Sequence, residues 1–215
     1  MTKFVVWLVL IAILAVAVLG AWWWFDLRWR PQTVTKKQVE IVNILEQSGF
    51  VSPGLGGPKL YMIGFRSCPD CIRYVEEEFP KLHEAGVDTR VIYLARDDLN
   101  GAEKSTPIER TTVAELAFTH DWGLFERWTA SPLEAWTAQG IPPADGDQIR
   151  TAVIEARRKT INDLRPLLKA NGVEVGENGL RYPTLIWWTK DGEMKACACE
   201  KPETYRYVRS DLGAK

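Results

Sequence analysis

The stretch "KLYMIGFRSCPDCIRY", residues 59–74, decides the fold because an apolar run leads directly into two cysteines that lie three positions apart. The run "KLYMIGF" is typical of a strand that is buried on both faces of a sheet. After Cys68 and Cys71, the pattern predicts a helix over about residues 69–84. A second buried strand is predicted in "TRVIYLA", residues 89–95. Strand, helix and strand in this order predict a βαβ unit with a parallel pair of strands.

The rest of the chain adds helices and a hairpin to this unit. A long polar stretch with helical spacing, roughly residues 100–172, predicts a helical insertion. "LRYPTLIWWTKDGEMKACACE", residues 180–200, predicts a loop and two strands joined by a turn at "KDGE". "PETYRYVRSDL", residues 202–212, predicts a closing helix.

Two further helix starts are indicated by capping residues. Thr35 followed by Gln38 has the pattern of a capping box. Ser131 precedes a proline and has Glu134 three positions further on, which favours the start of a helix within the insertion.

Composition limits the classes of function. The 215 residues fit one domain, or one domain with an added segment. The 46% of hydrophobic residues are enough for a substantial core. The net charge of −1 gives no excess of positive charge that would attract nucleic acid, so we expect no nucleic-acid partner.

The N-terminus contains a 22-residue stretch without charge, from Phe4 to Phe25. As a helix it would be about 33 Å long, against about 30 Å for the hydrocarbon core of a bilayer. The tryptophans at 22–24 fit an interfacial aromatic belt. A cleavable signal peptide is the competing interpretation, because residues 15–17 ("AVA") resemble a cleavage site. We favour an uncleaved anchor, since a signal peptide usually has a shorter apolar region.

Flanking charge gives a weak indication of topology. Lys3 precedes the apolar stretch, whereas Arg28, Arg30, Lys36 and Lys37 follow it. This count favours a cytoplasmic domain, but long domains are often translocated regardless of such a bias.

The pair Cys68 and Cys71 has three interpretations, of which a zinc site is the first. Structural zinc usually takes four ligands. The remaining cysteines, Cys197 and Cys199, lie two apart on a predicted strand, and both histidines fall in unrelated helical segments. A structural bridge is the second interpretation, but a disulfide closing so short a loop stabilises little.

Redox chemistry is the third interpretation, and it gives a physical reason for the spacing. A cysteine just ahead of a helix has its thiolate stabilised by unpaired backbone N–H groups and by the helix dipole. The second cysteine lies one turn into the helix, within bonding distance of the first. Cys68 is therefore the expected nucleophile, and Cys71 the thiol that resolves the mixed disulfide.

At this point the sequence resembles a known superfamily. "CPDC" after "YMIGF", then "VIYLA", a helical insertion and "RYPTLIWW", resemble thioredoxin-fold disulfide oxidoreductases. The resemblance is closer to the periplasmic Dsb-type oxidases and isomerases, which carry a helical insertion at that point, and it covers about residues 58–210. It implies a cis-proline facing the cysteines at Pro183, between Tyr182 and Thr184. It also implies that the backbone of Tyr182 pairs with a bound substrate strand.

Asp70 is a departure from that family. More oxidising members carry a histidine at this position, and a nearby carboxylate disfavours a thiolate. We therefore expect Cys68 to be less acidic, and its disulfide less oxidising, than in the strongest periplasmic oxidases. Arg66 and Arg73 would partly offset the carboxylate.

Cys197 and Cys199 point to the same face of their predicted strand. Three interpretations stay open at this stage. They could be buried free cysteines acting as small hydrophobic residues, a second redox pair or relay, or a transient metal site.

The sequence thus predicts an α/β, thioredoxin-like fold with a helical insertion, preceded by one transmembrane helix. The expected division is an anchor over residues 1–30, a linker and first helix over 31–58, and the thioredoxin-like domain over 59–215. We expect a thiol–disulfide oxidoreductase in the bacterial inner membrane, with its soluble domain in the periplasm or released there by cleavage. The expected partners are cysteine-containing protein substrates or a membrane redox partner, and the chemistry needs no metal or organic cofactor. The alternatives are a non-catalytic binding or assembly factor with this fold, and a Cu(I) metallochaperone.

Overall fold

The computed structural model describes residues 2–98, 101–177 and 179–215. The chain divides into two compact units, with the boundary in the sequence between Arg30 and Pro31. The first unit contains helix α1 (Thr2–Phe25) and a 3₁₀ turn at Leu27–Trp29. Within α1, Phe4–Phe25 has a mean hydropathy of 3.0 with none of its window buried, so it is long and apolar enough to cross a membrane. An N-terminal signal sequence would have the same properties.

The second unit is built on a five-stranded sheet. Its strands are β1 (Gln32–Thr33), β2 (Lys59–Gly64), β3 (Asp88–Tyr93), β4 (Thr184–Trp188) and β5 (Met194–Ala198), in the order β1-β5-β4-β2-β3. β2 and β3 are parallel, with Lys59 opposite Asp88 and Gly64 opposite Tyr93. All other neighbours are antiparallel. The predicted parallel pair and hairpin are confirmed.

Helices cover the sheet on both faces. They are α2 (Gln38–Gln47), α3 (Pro69–Glu84), α4 (Pro107–Thr119), α5 (Trp122–Ala130), α6 (Gln148–Ala170) and α7 (Tyr205–Leu212), the last preceded by a 3₁₀ turn at Pro202–Thr204. Helices α4 to α6 lie between β3 and β4 in the chain, which makes this a thioredoxin-like fold with a helical insertion. The fold class predicted from the sequence is confirmed. The expected start of the insertion, at about residue 100, lies outside the described residues, and the domain limits at 30 and 58 stay predictions.

The alternation of side chains along β4 separates two cores. Leu185 and Trp187 are buried on the face covered by α3, α4, α5 and α7. Ile186 points the other way, into the core covered by α2 and α6. Cys68 and Cys71 belong to the first core. The cysteine pair therefore packs in the core that the sheet shares with α3, α4, α5 and α7.

Both predicted capping patterns were wrong, for tertiary reasons. The residue preceding α2 is Lys37, whose φ of 58° is left-handed and whose side chain makes no cap. The backbone N–H groups of Thr35 and Lys36 donate instead to the side-chain oxygen of Asn171, both at 2.9 Å. Ser131 leads only into a turn, and the indole N–H of Trp136 donates to Thr112 of α4 at 2.9 Å.

Candidate active site at the cysteine pair

Cys68 and Cys71 lie where β2 passes into α3. Cys68 is the N-cap of α3, with extended backbone angles, and its sulfur accepts a hydrogen bond from the backbone N–H of Cys71 at 3.2 Å. Both cysteines are free and buried, with exposures of 4% and 0%. A side chain at Gly64 would collide with the second sulfur, since an added Cβ would lie 2.8 Å from it. The glycine at the end of β2 thus makes room for the Cys71 thiol.

The two thiols differ strongly in acidity. The pKa of Cys68 is lowered, chiefly because the Cys71 thiol donates a hydrogen bond to it, and backbone N–H groups of Cys71 and Asp70 add to the effect. The pKa of Cys71 is raised far above its ordinary value, mainly by burial, then by its hydrogen bond to Cys68 and by the negative charge of Cys68. Cys68 therefore ionises first, while Cys71 stays protonated and stabilises it.

The negative charge of Asp70 is paired with a neighbouring cation. The Arg73 guanidinium lies 2.5 Å from its carboxylate and also donates to the Glu200 carbonyl at 2.8 Å. The carboxylate still acts to raise the pKa of Cys68, but it ranks behind the Cys71 thiol, burial and the Cys71 backbone. It stays a prediction that Cys68 is less acidic, and its disulfide less oxidising, than in the strongest periplasmic oxidases.

Arg66 does more than the sequence indicated. It is buried, and its guanidinium donates to three carbonyl groups at the end of α5: Trp128 at 3.3 Å, Thr129 at 3.1 Å and Ser131 at 2.6 Å. The last carbonyls of a helix have no partners within the helix. Arg66 therefore caps α5 and fixes the insertion to the loop that carries Cys68.

The three residues proposed for substrate binding lie together beside Cys68. The peptide bond between Tyr182 and Pro183 is cis. The Tyr182 carbonyl oxygen lies 3.7 Å from the Cys68 sulfur. Thr184 begins β4, opposite Ile63 of β2. Burial raises the pKa of the Tyr182 phenol to about 12, so the ring stays neutral.

Cys197 and Cys199 are joined to each other by a disulfide. The interpretation of these residues as free, buried cysteines was therefore wrong, and in this state neither sulfur is a thiolate ligand for a metal. Among the described residues, no group of three or more His, Cys, Asp or Glu side chains is arranged to hold a metal ion. The backbone N–H of Cys199 donates to the Pro183 carbonyl at 2.8 Å, which places the disulfide directly behind the cis-proline.

A cavity of about 440 Å³ opens next to Tyr182. Its walls include Leu94, Arg96, Lys104 and Leu180. The Arg96 guanidinium stacks 4.0 Å from the centre of the Phe65 ring and donates to the Ser67 hydroxyl at 3.1 Å. The cavity therefore adjoins the loop that carries Cys68, although "LARDD" has no pattern that would indicate this.

The strand order, the cysteine pair at the start of α3 and the cis-proline beside it are features in which the chain resembles the thioredoxin-fold disulfide oxidoreductases. No family profile and no curated protein matches the sequence significantly.

The chain is similar to solved structures of Proteus mirabilis ScsC. A compact conformation of ScsC is 10% identical, covering 94% of this chain and 87% of that chain, with a TM-score of 0.47. The ScsC catalytic domain is 11% identical, covering 81% and 94%, with a TM-score of 0.45. A linker-deletion variant of ScsC is 12% identical, covering 81% and 80%, with a TM-score of 0.45. Likeness at this level carries no weight for function, which depends on the site itself.

Proposed function

We propose that this protein is a thiol–disulfide oxidoreductase that exchanges disulfides with protein substrates or with a redox partner through its Cys-Pro-Asp-Cys centre. The single observation that carries the proposal is the inequality of the two thiols. Cys68 has a lowered pKa and accepts hydrogen bonds from Cys71, whereas the pKa of Cys71 is raised by burial. A purely structural cysteine pair has no need of such a difference.

The chemistry follows from that inequality. In the reduced protein, the Cys68 thiolate attacks one sulfur of a substrate disulfide, and the other substrate sulfur leaves as a thiolate and takes up a proton. A mixed disulfide between Cys68 and the substrate results. Cys71 then loses its proton and attacks the Cys68 sulfur, which releases the second substrate thiol. Two electrons pass to the substrate, and the protein ends with a Cys68–Cys71 disulfide; the same steps in reverse donate that disulfide.

Substrate positioning is assigned to the segment Tyr182–Thr184. A substrate strand lying along the backbone of Tyr182 would bring its cysteine to the Cys68 sulfur, which is 3.7 Å from the Tyr182 carbonyl. Backbone pairing of this kind binds cysteine-containing segments of varied sequence, because main-chain groups supply the affinity. No metal or organic cofactor enters the steps above.

The proposed location is the bacterial inner membrane, with α1 as a single-pass anchor and the second unit in the periplasm. Two observations support it. Phe4–Phe25 is long enough to span the hydrocarbon core, and the Cys197–Cys199 disulfide is of a kind that persists in oxidising compartments. Cleavage of the N-terminal segment would give a soluble periplasmic form of the same enzyme.

Trapping tests the proposal. In Cys71→Ser full-length protein expressed in a bacterial host, the mixed disulfide with Cys68 cannot be resolved, so covalent complexes should accumulate that dithiothreitol releases. Cys68→Ala protein should form none and should lose disulfide reductase activity with insulin. If Cys71→Ser captures nothing and Cys68→Ala retains the activity of the unmodified chain, the proposal is wrong.

A further inference from the structure

We propose that the Cys197–Cys199 disulfide is a second redox site, and that its reduction alters the substrate-binding edge beside Cys68. The proposal depends on the proposed function, because exchange at Cys68 is what the second site would affect. Nothing in the chemistry of the Cys68–Cys71 pair requires this second disulfide, so its place in the fold needs its own explanation.

Stabilisation of the fold is a weak explanation. The bond joins residues only two positions apart. In the chain-entropy description, the stabilisation from a disulfide grows with the length of the loop it closes, and here the loop is close to the shortest that can form. A bond between strands or helices would have stabilised the fold more.

The bond shortens the backbone at the point where the β4–β5 ladder ends. Residues two apart in an extended strand are about 6.6 Å apart between Cα atoms. The Cα atoms of Cys197 and Cys199 are 5.2 Å apart. Thr184 opposite Ala198 is the last pair of that ladder. Reduction would allow the segment to lengthen by about 1.4 Å toward ordinary strand geometry.

The residues displaced by such a lengthening hold both sides of the active site. The Cys199 N–H donates to the Pro183 carbonyl at 2.8 Å. The carbonyl of the following residue, Glu200, accepts from Arg73 at 2.8 Å, and Arg73 pairs with Asp70 at 2.5 Å. One contact therefore leads to the cis-proline and the other to the helix that carries the cysteines.

The redox step is a thiol–disulfide exchange with a dithiol, either a reduced protein dithiol or a small-molecule one. A thiolate of the dithiol attacks Cys197, which is 7% exposed whereas Cys199 is fully buried. The bond between the two cysteines breaks, and Cys199 leaves as a thiolate and is protonated. The second thiol of the reductant then releases Cys197 and forms the reductant's own disulfide. The site has gained two electrons and two protons.

The first experiment asks whether the site titrates in the folded protein. Full-length Cys68→Ser/Cys71→Ser protein is equilibrated with mixtures of reduced and oxidised dithiothreitol, quenched with acid, alkylated and mapped by mass spectrometry. We expect both Cys197 and Cys199 to become alkylated in mixtures that leave the near-ultraviolet circular dichroism unchanged. The proposal is overturned if the pair stays oxidised until that signal is lost, or if it is already reduced in protein isolated without reductant.

The second experiment asks whether Cys68 responds. In a Cys71→Ser background, formation of the mixed disulfide with a cystine-bridged peptide is compared for the oxidised site and for Cys197→Ala/Cys199→Ala. Because displacements of about 1 Å can cost up to a hundredfold in rate, we expect a loss of about tenfold at low peptide concentration, with a higher half-saturating concentration. The small probe 5,5′-dithiobis(2-nitrobenzoate), which makes no strand contacts, should react at the same rate in both.

The outcomes separate the two proposals. If Cys68 reacts with neither reagent in any background, the proposed function fails. If it reacts with the peptide equally well in both backgrounds, only the second site fails. Should the double alanine variant not fold, Cys71→Ser protein is reduced under the native conditions found in the first experiment and freed of reductant, and it supplies the same comparison.

Discussion

The carbonyl oxygen of Tyr182 lies 3.7 Å from the sulfur of Cys68, although 114 positions separate the two residues in the chain. The contact is possible because β4 pairs with β2, so that the start of one strand lies beside the end of the other. A sulfur with a lowered pKa thus faces the backbone edge on which we propose that a substrate pairs.

Removing the carboxylate of Asp70 should make Cys68 more acidic. The charge of Asp70 acts to raise the pKa of Cys68, and its loss also frees the Arg73 cation that now pairs with it. In Asp70→Asn protein, the thiolate absorbance near 240 nm should therefore appear at lower pH than in the unmodified chain. Arg73→Gln should shift the curve in the opposite direction. Glu76→Gln, at an exposed position on the same helix, is the matched control; a shift in the control as large as that of Asp70→Asn would contradict the assignment.

The reduced protein should gain stability as pH rises through a defined window. A group whose pKa is lower in the folded than in the unfolded state contributes stability above its unfolded pKa and loses it as pH falls through the folded pKa. Cys68 is such a group. The window therefore runs from its lowered pKa up to the ordinary value for a thiol. Urea unfolding of the reduced chain should show this rise and Cys68→Ser should not; equal slopes for both would rule out a depressed thiolate pKa.

The elements nearest the cysteines were predictable because their signals are local. The apolar run before Cys68 and the proline at position 69 specify β2 and the start of α3, and the helix has the predicted bounds, Pro69–Glu84. The role of Pro183 came from resemblance alone. Its cis bond and its place beside Cys68 depend on strand pairing, which no short window of sequence contains.

The features that were missed or wrong depend on contacts between distant residues. The bonds from Arg66 to the end of α5 span 62 to 65 positions. The hydrogen bond from the Thr35 N–H to the Asn171 side chain spans 136 positions. The local capping-box pattern could not predict this partner. Spacing alone also left the state of Cys197 and Cys199 open, because cysteines on one face of a strand can be free, bonded or metal-bound.

Replacing Arg66 should destabilise the insertion and slow exchange at Cys68. In Arg66→Met protein the carbonyls of Trp128, Thr129 and Ser131 would lose their shared donor inside the structure, which we expect to cost about 2–4 kcal/mol of unfolding free energy. Urea unfolding measures the loss. Arg66→Lys, which retains the charge but not the fork of donors, should recover only part of it. Full stability in Arg66→Met would mean that these bonds do not hold the insertion.

Adding a methyl group at Gly64 should slow the second half of the exchange more than the first. A Cβ there would lie 2.8 Å from the Cys71 sulfur and 3.3 Å from the Tyr93 ring, so the buried thiol must move. The three atoms nearest to this Cβ belong to Cys71 and to the Tyr93 ring. Resolution of the mixed disulfide needs Cys71 in line with the Cys68 sulfur. Rapid-quench analysis of Gly64→Ala with a cystine-bridged peptide should therefore show mixed disulfide that accumulates and decays at least about tenfold more slowly. Gly56→Ala, where an added Cβ meets nothing within 4 Å, is the control and should resolve at the normal rate. If the two variants resolve the mixed disulfide equally fast, the room that Gly64 leaves for Cys71 has no part in the exchange.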